Sequence, residues 1–362
     1  MNLRGEDHSL VVVVGAGGVG KTTFAASLAL MSARYRRDTL VMTFDPSMRL
    51  KDTLGVGEHA RDREVTVQAD TEGRLAASLL DAKQTFDRLV QRYAPDEAAA
   101  HRILTNRFYE HLAGNLAGIL EYMAVERLFE VAAEGRYDRI ILDTPPTRQA
   151  LDFLGAPARI VSFLDSGALK LALRPWFDDK GRLKPTAHLG FVGRSVEGFL
   201  DRMVGMDLLR EMAEFFQAFG PLFTGFHERA ESVEALLKSP RTTFVLVTGP
   251  GEERVPETLF FARHLVEGGY HLGPLIVNMV HPRASAELRA RPELGEGVRL
   301  LSWLGERDHR GVAAFHRLLD GRHRLVDVPL LAEEPTDIPS LEVLGRLTVE
   351  KLEQPLRPVA EN

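Results

Sequence analysis

The chain has 362 residues, 44% of them hydrophobic, no cysteine and a formal net charge of -6. That apolar content supports one large domain or two ordinary ones, and the acid excess argues against nucleic acid as the main partner. The lack of cysteine excludes disulfides, thiolate zinc sites and a cysteine nucleophile, and it fits a reducing cytoplasm.

The first element is a short, β-branched, apolar run, Leu10 to Val14. It reads as a strand buried on both faces. It is too short to span a bilayer, and Arg4, Glu6 and Asp7 before it do not form the basic start of a signal peptide. Phe24 to Leu30 then offers good helix formers and no breaker. Between the two lies Gly15-Ala16-Gly17-Gly18-Val19-Gly20-Lys21-Thr22, which fits G-x-x-x-x-G-K-S/T, the P-loop. Glycines let backbone amides turn inward around an anion, because no Cβ is in the way. The helix start adds unpaired N–H groups and the positive end of a dipole. Gly15, Gly17, Gly18, Val19, Gly20, Lys21, Thr22 and Thr23 are the candidate phosphate-binding residues, with ATP as the cofactor. Lys21 is placed to reach the β and γ phosphates, and the Thr22 hydroxyl to ligate Mg²⁺.

Further apolar runs read as parallel strands: Thr39–Phe44, Glu64–Gln68, Arg139–Leu142, Thr243–Val247, Leu275–Val277 and Arg324–Val326. Helical patterns separate them, which predicts an α/β fold with a doubly wound, mostly parallel sheet. Ligands of such sheets bind beyond the carboxyl ends of the strands. Asp45-Pro46 follows the second strand, Asp143-Thr144-Pro145-Pro146 follows Leu142, Asn278 follows Val277, and the last strand leads into Pro329. A single aspartate at a strand end reads equally well as a helix cap or turn; two of them beside a P-loop point to the nucleotide.

The segments Thr71–Arg136 and Leu151–Arg241 read as helical, with "LDAKQTFDRLV", "GILEYMAVERLFEVA" and "DLLREMAEFFQAF" carrying apolar residues at helical spacing. The chain is thus read as a single P-loop domain over 1–362 with a large helical insertion at about 71–136 and 151–241. Arg174–Gly190 breaks the second insertion with Pro and Gly and reads as an exposed loop. Met203, Met206, Met212, Phe215, Phe216 and Phe219 read as helix core. His309, His316 and His323 are spaced by seven, but Gly321 interrupts the pattern, so they read as solvated surface and not as a metal site.

"GAGGVGKTT", "TFDPSMRLKDTLG", "YDRIILDTPPTRQALDFLGAP", "LIVNMVHP" and "VDVPLLAEEP" together resemble the ArsA family of ATPases, which includes the guided-entry ATPase for tail-anchored proteins. The resemblance implies a P-loop NTPase core, ATP and Mg²⁺ as cofactors, and a dimeric nucleotide switch. It implies that Asp45 positions the attacking water and that Asp143 stands in the outer shell of Mg²⁺. It further implies that Asn278 contacts the adenine while Val328, Pro329 and Leu330 pack on its ring. Glu257 matches a family glutamate. The chain departs from the family at Ala16, where the family's P-loop has a second lysine that reaches across the dimer interface to the partner's nucleotide. It departs again at Pro145 and at Arg148-Gln149.

The resulting expectation is a cytoplasmic Mg²⁺-dependent ATPase with a place at the inner face of the membrane. It pairs as a homodimer, or as a heterodimer with a lysine-bearing paralogue, and couples to a protein client or membrane partner through its helical insertion. Two readings stand beside it: a catalytically weak ATP-binding regulatory subunit, and a spatial-organisation ATPase of the MinD or ParA kind. Arsenite held by thiolates is excluded without cysteine. Zinc-bridged dimerisation through a cysteine pair is excluded for the same reason.

Overall fold

The computed structural model describes residues 8–44, 49–57, 60–61, 63–106, 109, 119–165, 215, 223–285, 295–319 and 323–354. In chain order the elements are β1 (Leu10–Gly15), α1 (Lys21–Arg34), β2 (Thr39–Thr43), α2 (Arg49–Leu54), β3 (Val65–Thr66) and β4 (Leu75–Leu79). Then come α3 (Ala82–Tyr93), α4 (Glu97–Leu104), α5 (Ile119–Glu134), β5 (Arg139–Asp143), α6 (Thr147–Asp165) and α7 (Phe223–Lys238). The chain closes with β6 (Thr242–Thr248), α8 (Val255–Glu267), β7 (Leu272–Val280), α9 (Gly295–Leu319), β8 (Leu325–Pro329) and α10 (Ile338–Glu353). Two compact units result: Met1–Leu80 with Val131–Leu151 and Leu236–Asn362, and Asp81–Glu130 with Asp152–Ala235.

The first unit holds an eight-stranded sheet among the described residues, in the order β3-β4-β2-β5-β1-β6-β7-β8. Every neighbouring pair is parallel except β3–β4. This is the doubly wound, mostly parallel α/β sheet expected from the strand–helix alternation. β1, β2, β4, β5 and β6 are buried along their whole length, as unbroken apolar runs require when helices cover both faces. The helix α1 is buried continuously from Phe24 to Ala33, which is the mark of a helix enclosed on all sides. Its outer cover is α10. A Cβ at Gly345 there would lie 2.4 Å from Met31 Cγ, and Ser27 Oγ donates to the Leu341 carbonyl at 2.9 Å. Glycine on one helix and small residues on the other let the two backbones close up.

Two strand readings need correction. Glu64–Gln68 was expected as a parallel strand, but only Val65 and Thr66 pair, antiparallel to β4 at the sheet edge. β4 itself lies within the stretch read as helical. Its sequence LAASL has small, helix-favouring residues, and only its seat beside β2 makes it a strand, with Leu75 to Leu79 in register with Thr39 to Thr43. Tertiary context overrides propensity here.

The second unit is helical among its described residues. Phe86, Leu89, Ile103, Tyr109, Tyr122, Phe215 and Phe226 form its buried core, with Phe86 and Phe226 edge to face at 6.2 Å. Phe215 therefore takes the core role expected of it. Met203, Met206, Met212, Phe216, Phe219 and the loop at 174–190 lie outside the described residues. One ion pair is sealed inside. Glu126 is fully buried and bonded to Arg229, and the Tyr122 hydroxyl donates to it at 3.1 Å. Burial pushes the Glu126 carboxyl up, and the Arg229 and Tyr122 bonds oppose that. No described helix is long and apolar enough to cross a membrane.

Candidate functional site

Parallel pairing brings the carboxyl ends of β2, β5, β1, β6, β7 and β8 to one edge of the sheet. Register decides what meets there. Asp143, the last residue of β5, stands opposite Val13 on one side and Thr43 on the other. Gly15, the last residue of β1, stands opposite Val247.

The loop from Gly15 to Gly20 has a backbone only glycine supports at its two ends. Gly15 has φ 148, and a Cβ there would fall 1.9 Å from the Val247 carbonyl oxygen. Gly20 has φ 86, in the left-handed region, and a Cβ there would lie 2.6 Å from Asn278 Nδ2. As N-cap of α1, Gly20 brings no side chain to the helix start, and no acidic residue occupies the first turn. Gly17 and Gly18 are exposed. The first-turn amides thus face an open, side-chain-free rim, the arrangement that receives a phosphate.

Four side chains bring charge and hydroxyls next to this loop: Lys21, Thr22, Thr43 and Asp143. Lys21 is only 7% exposed, and its ammonium donates to the Ala16 carbonyl at 2.8 Å. It spans the loop from inside. Thr22 Oγ1 donates to Asp143 Oδ2 at 2.7 Å, and Thr43 Oγ1 to the same oxygen at 2.8 Å. Asp143 is fully buried, and a buried carboxylate is held only by such donors. Thr144 anchors the exit of β5 by donating to the Val13 carbonyl at 2.8 Å. Thr23 is half-buried on the next step of α1. The oxygen-only set of Thr22, Thr43 and Asp143 suits a hard divalent cation such as Mg²⁺. The residues present therefore fit the metal as well as the phosphate.

Asn278 sits near the end of β7, 7% exposed, and its Nδ2 donates to the Val19 carbonyl at 3.0 Å. The following residue, Met279, has φ 60, and β7–β8 pairing shifts register between Val277 and Val280. Val328 is buried at the end of β8, Pro329 is half-buried and Leu330 is 44% exposed. The Leu330 amide donates to the Val280 carbonyl at 2.9 Å, which ties this stretch to the exit of β7. Val19, Asn278 and the 328–330 stretch all gather at the end of the sheet where the glycine loop opens.

Of the remaining candidates, Asp45 lies outside the described residues, as does the side chain of Arg148. Glu257 is exposed in the first turn of α8. His309 shares a 2.8 Å hydrogen bond with the Gly305 carbonyl, and His316 is exposed. Among the described residues no group of three or more His, Cys, Asp or Glu could hold a metal ion. Sequence reasoning missed Thr43, whose only signal was its place two residues before Asp45. It also missed Asp308, which lies on α9, fully buried, and takes hydrogen bonds from His281 and Arg307.

The position that departs from the P-loop pattern is enclosed. The Ala16 side chain is 8% exposed and belongs to the same apolar cluster as Val13 and Val19.

A family model described as anion-transporting ATPase (ArsA) matches residues 8–296. The chain is 26% identical over 280 residues to an arsenical pump-driving ATPase of Aquifex aeolicus, covering 75% of this chain and 63% of that protein. It therefore spans less than two thirds of that relative. It is 25% identical over 348 residues to the ATPase get3 of Neurospora crassa, covering 95% of this chain and 91% of the relative. With the ATPase GET3 of Kluyveromyces lactis it shares 24% identity over 364 residues, covering 98% and 92%.

Proposed function

The chain belongs to the ArsA family of anion-transporting ATPases, and from that premise we propose that it is a Mg²⁺-dependent ATP-binding switch whose own subunit is complete for binding and lacks one cation for hydrolysis. The observation that carries this reading is the convergence of Lys21, Thr22 and Thr43 with the buried Asp143 beside an open glycine rim. In this reading the loop amides and Lys21 hold the phosphates, with the ammonium leaving the Ala16 carbonyl for the β and γ oxygens. Thr22, and Asp143 through its hydrogen bond to Thr22, would hold Mg²⁺, which would supply charge neutralisation for the phosphates. Asn278, fixed by Val19, and the Val328–Leu330 stretch form the base side. Asp45 orients the attacking water.

The missing element is at position 16. Phosphoryl transfer needs positive charge on the transferring group, and a charge supplied in trans is worth roughly 10³–10⁵ in rate. Ala16 is uncharged and buried, and it belongs to the apolar cluster of its own subunit. The partner is therefore a paralogue that keeps the lysine and reaches this chain's γ phosphate, giving a heterodimer with two unequal sites. The helical unit, Asp81–Glu130 with Asp152–Ala235, carries the coupling to a protein client or a membrane-protein partner, and the cytoplasm is the compartment.

Steady-state ATP turnover tests the partner directly. Purified alone, the chain is expected to bind Mg·ATP and to hydrolyse it slowly. Adding a lysine-bearing paralogue from the same genome is expected to raise turnover by about 10²-fold or more. Fast turnover by the isolated chain, unchanged by the paralogue, contradicts the heterodimer and leaves Arg148 as the source of charge.

A further inference from the structure

The exit of β7 is held from outside the nucleotide site. After Asn278, Met279 has φ 60, a left-handed conformation that a side chain other than glycine keeps only where its surroundings impose it. Two residues on, His281 meets one carboxylate oxygen twice. Its backbone N–H donates to Asp308 Oδ2 at 3.0 Å, and its ring Nδ1 lies 2.7 Å from the same atom. Arg307 donates to the other oxygen, Oδ1, through Nε at 3.0 Å and Nη2 at 2.8 Å. The Asp308 side chain is fully buried. Burial pushes its carboxyl up, and the hydrogen bonds from His281 and Arg307 more than offset this, leaving it below the usual carboxylate range. One turn earlier on α9, a Cβ at Gly305 would lie 2.3 Å from the Pro282 carbonyl oxygen. α9 is thus in backbone contact with the same stretch.

We propose that Asp308 is a positioning residue for base recognition: by anchoring His281 it holds Met279 in its left-handed conformation and so keeps the Asn278 amide against the Val19 carbonyl of the phosphate loop. A second, more exposed pair, Arg283 with Glu306 at 3.5 Å, also joins α9 to this stretch, but Asp308 is the fully buried group and the one bonded to His281 itself. The chain of contacts is short and continuous: Val19 O to Asn278 Nδ2, three peptide bonds through Met279 and Val280, then the contacts of His281 with Asp308. Val280 is pinned from the other side by the Leu330 amide, so the anchor also sets the stretch that faces the ring. The inference rests on the reading of Asn278 as the base contact.

The test compares binding of Mg·ATP with binding of Mg·tripolyphosphate, which has the phosphates and no base. Asp308→Ala is expected to weaken ATP about tenfold, the size of one lost hydrogen bond, and to leave tripolyphosphate within about twofold. Met279→Gly in the Asp308→Ala background is expected to restore ATP affinity, because glycine holds a positive φ without the anchor. His281→Ala, which keeps the backbone donor, is expected to show a smaller loss for ATP alone and serves if Asp308→Ala does not fold. Equal losses for both ligands, or no rescue by Met279→Gly, overturn the inference. If Asn278→Ala weakens ATP while Asp308→Ala and His281→Ala do not, the anchor is wrong and the base contact stands. If Asn278→Ala leaves ATP affinity unchanged, the base contact fails and the anchor's role with it.

Discussion

Lys21→Ala is expected to weaken Mg·ATP binding by about 10²-fold or more, measured by titration calorimetry. The ammonium is buried inside the loop and already bonded to the Ala16 carbonyl at 2.8 Å, so its position is set before any nucleotide arrives. Charge-assisted hydrogen bonds of this kind contribute about 1.5–3 kcal/mol each, and two phosphate oxygens are within its reach in the proposed pose. Each 1.4 kcal/mol is about a factor of ten in affinity. The alanine variant also leaves the Ala16 carbonyl without this donor, which loosens the empty loop. A Lys21→Ala protein that binds ATP as the wild type does would remove the phosphate site from Gly15–Thr22.

Asp45→Asn is expected to do the reverse. Turnover in the presence of the activating partner falls by about 10²–10⁴-fold, the usual worth of a positioned proton acceptor, while ATP affinity stays within a few-fold. The residue follows β2 by two positions, and the strand's last residue, Thr43, donates to Asp143 at 2.8 Å. Asparagine preserves shape and removes the charge that orients water. Rapid-quench hydrolysis of bound ATP separates the two effects. Near wild-type turnover in Asp45→Asn would reassign the water-positioning role.

What the sequence disclosed, and what it concealed, follows from how local each feature is. The strand, glycine loop and helix were legible because these pieces are contiguous, and each conformational demand belongs to its own residue. Gly15 and Gly20 need the φ they have whatever surrounds them. The strand positions of Asp143 and Asn278 were legible because each follows an unbroken apolar run. β4 was not legible, since Ala76, Ala77 and Ser78 have no strand preference and acquire it from β2. Nor was β3, where only two residues find partners at the edge. Within the site, Thr43 and Asp143 are 100 residues apart, and Asn278 and Val19 are 259 apart. No local pattern records such pairs. The anchor at Asp308 was concealed for the same reason, and because an aspartate in an amphipathic helix reads as surface until burial is seen.

The enclosure of Ala16 bears on why the position is an alanine. A methyl group fits the apolar cluster around Val13 and Val19 and lets the loop close over Lys21. A lysine there replaces a buried methyl group with a long stem. Any test at this position needs a control for bulk, and Ala16→Met supplies the stem without the charge.

The central claim is that this subunit binds ATP fully and lacks only a cation for transfer. The measurement that tests it most directly is single-turnover hydrolysis of saturating Mg·ATP by the isolated wild type, Ala16→Lys and Ala16→Met. The account predicts slow hydrolysis by the wild type and Ala16→Met, and a rate about 10²-fold higher or more for Ala16→Lys once it pairs with a second copy. A wild-type rate that Ala16→Lys fails to raise, in a protein that folds and binds ATP normally, contradicts it.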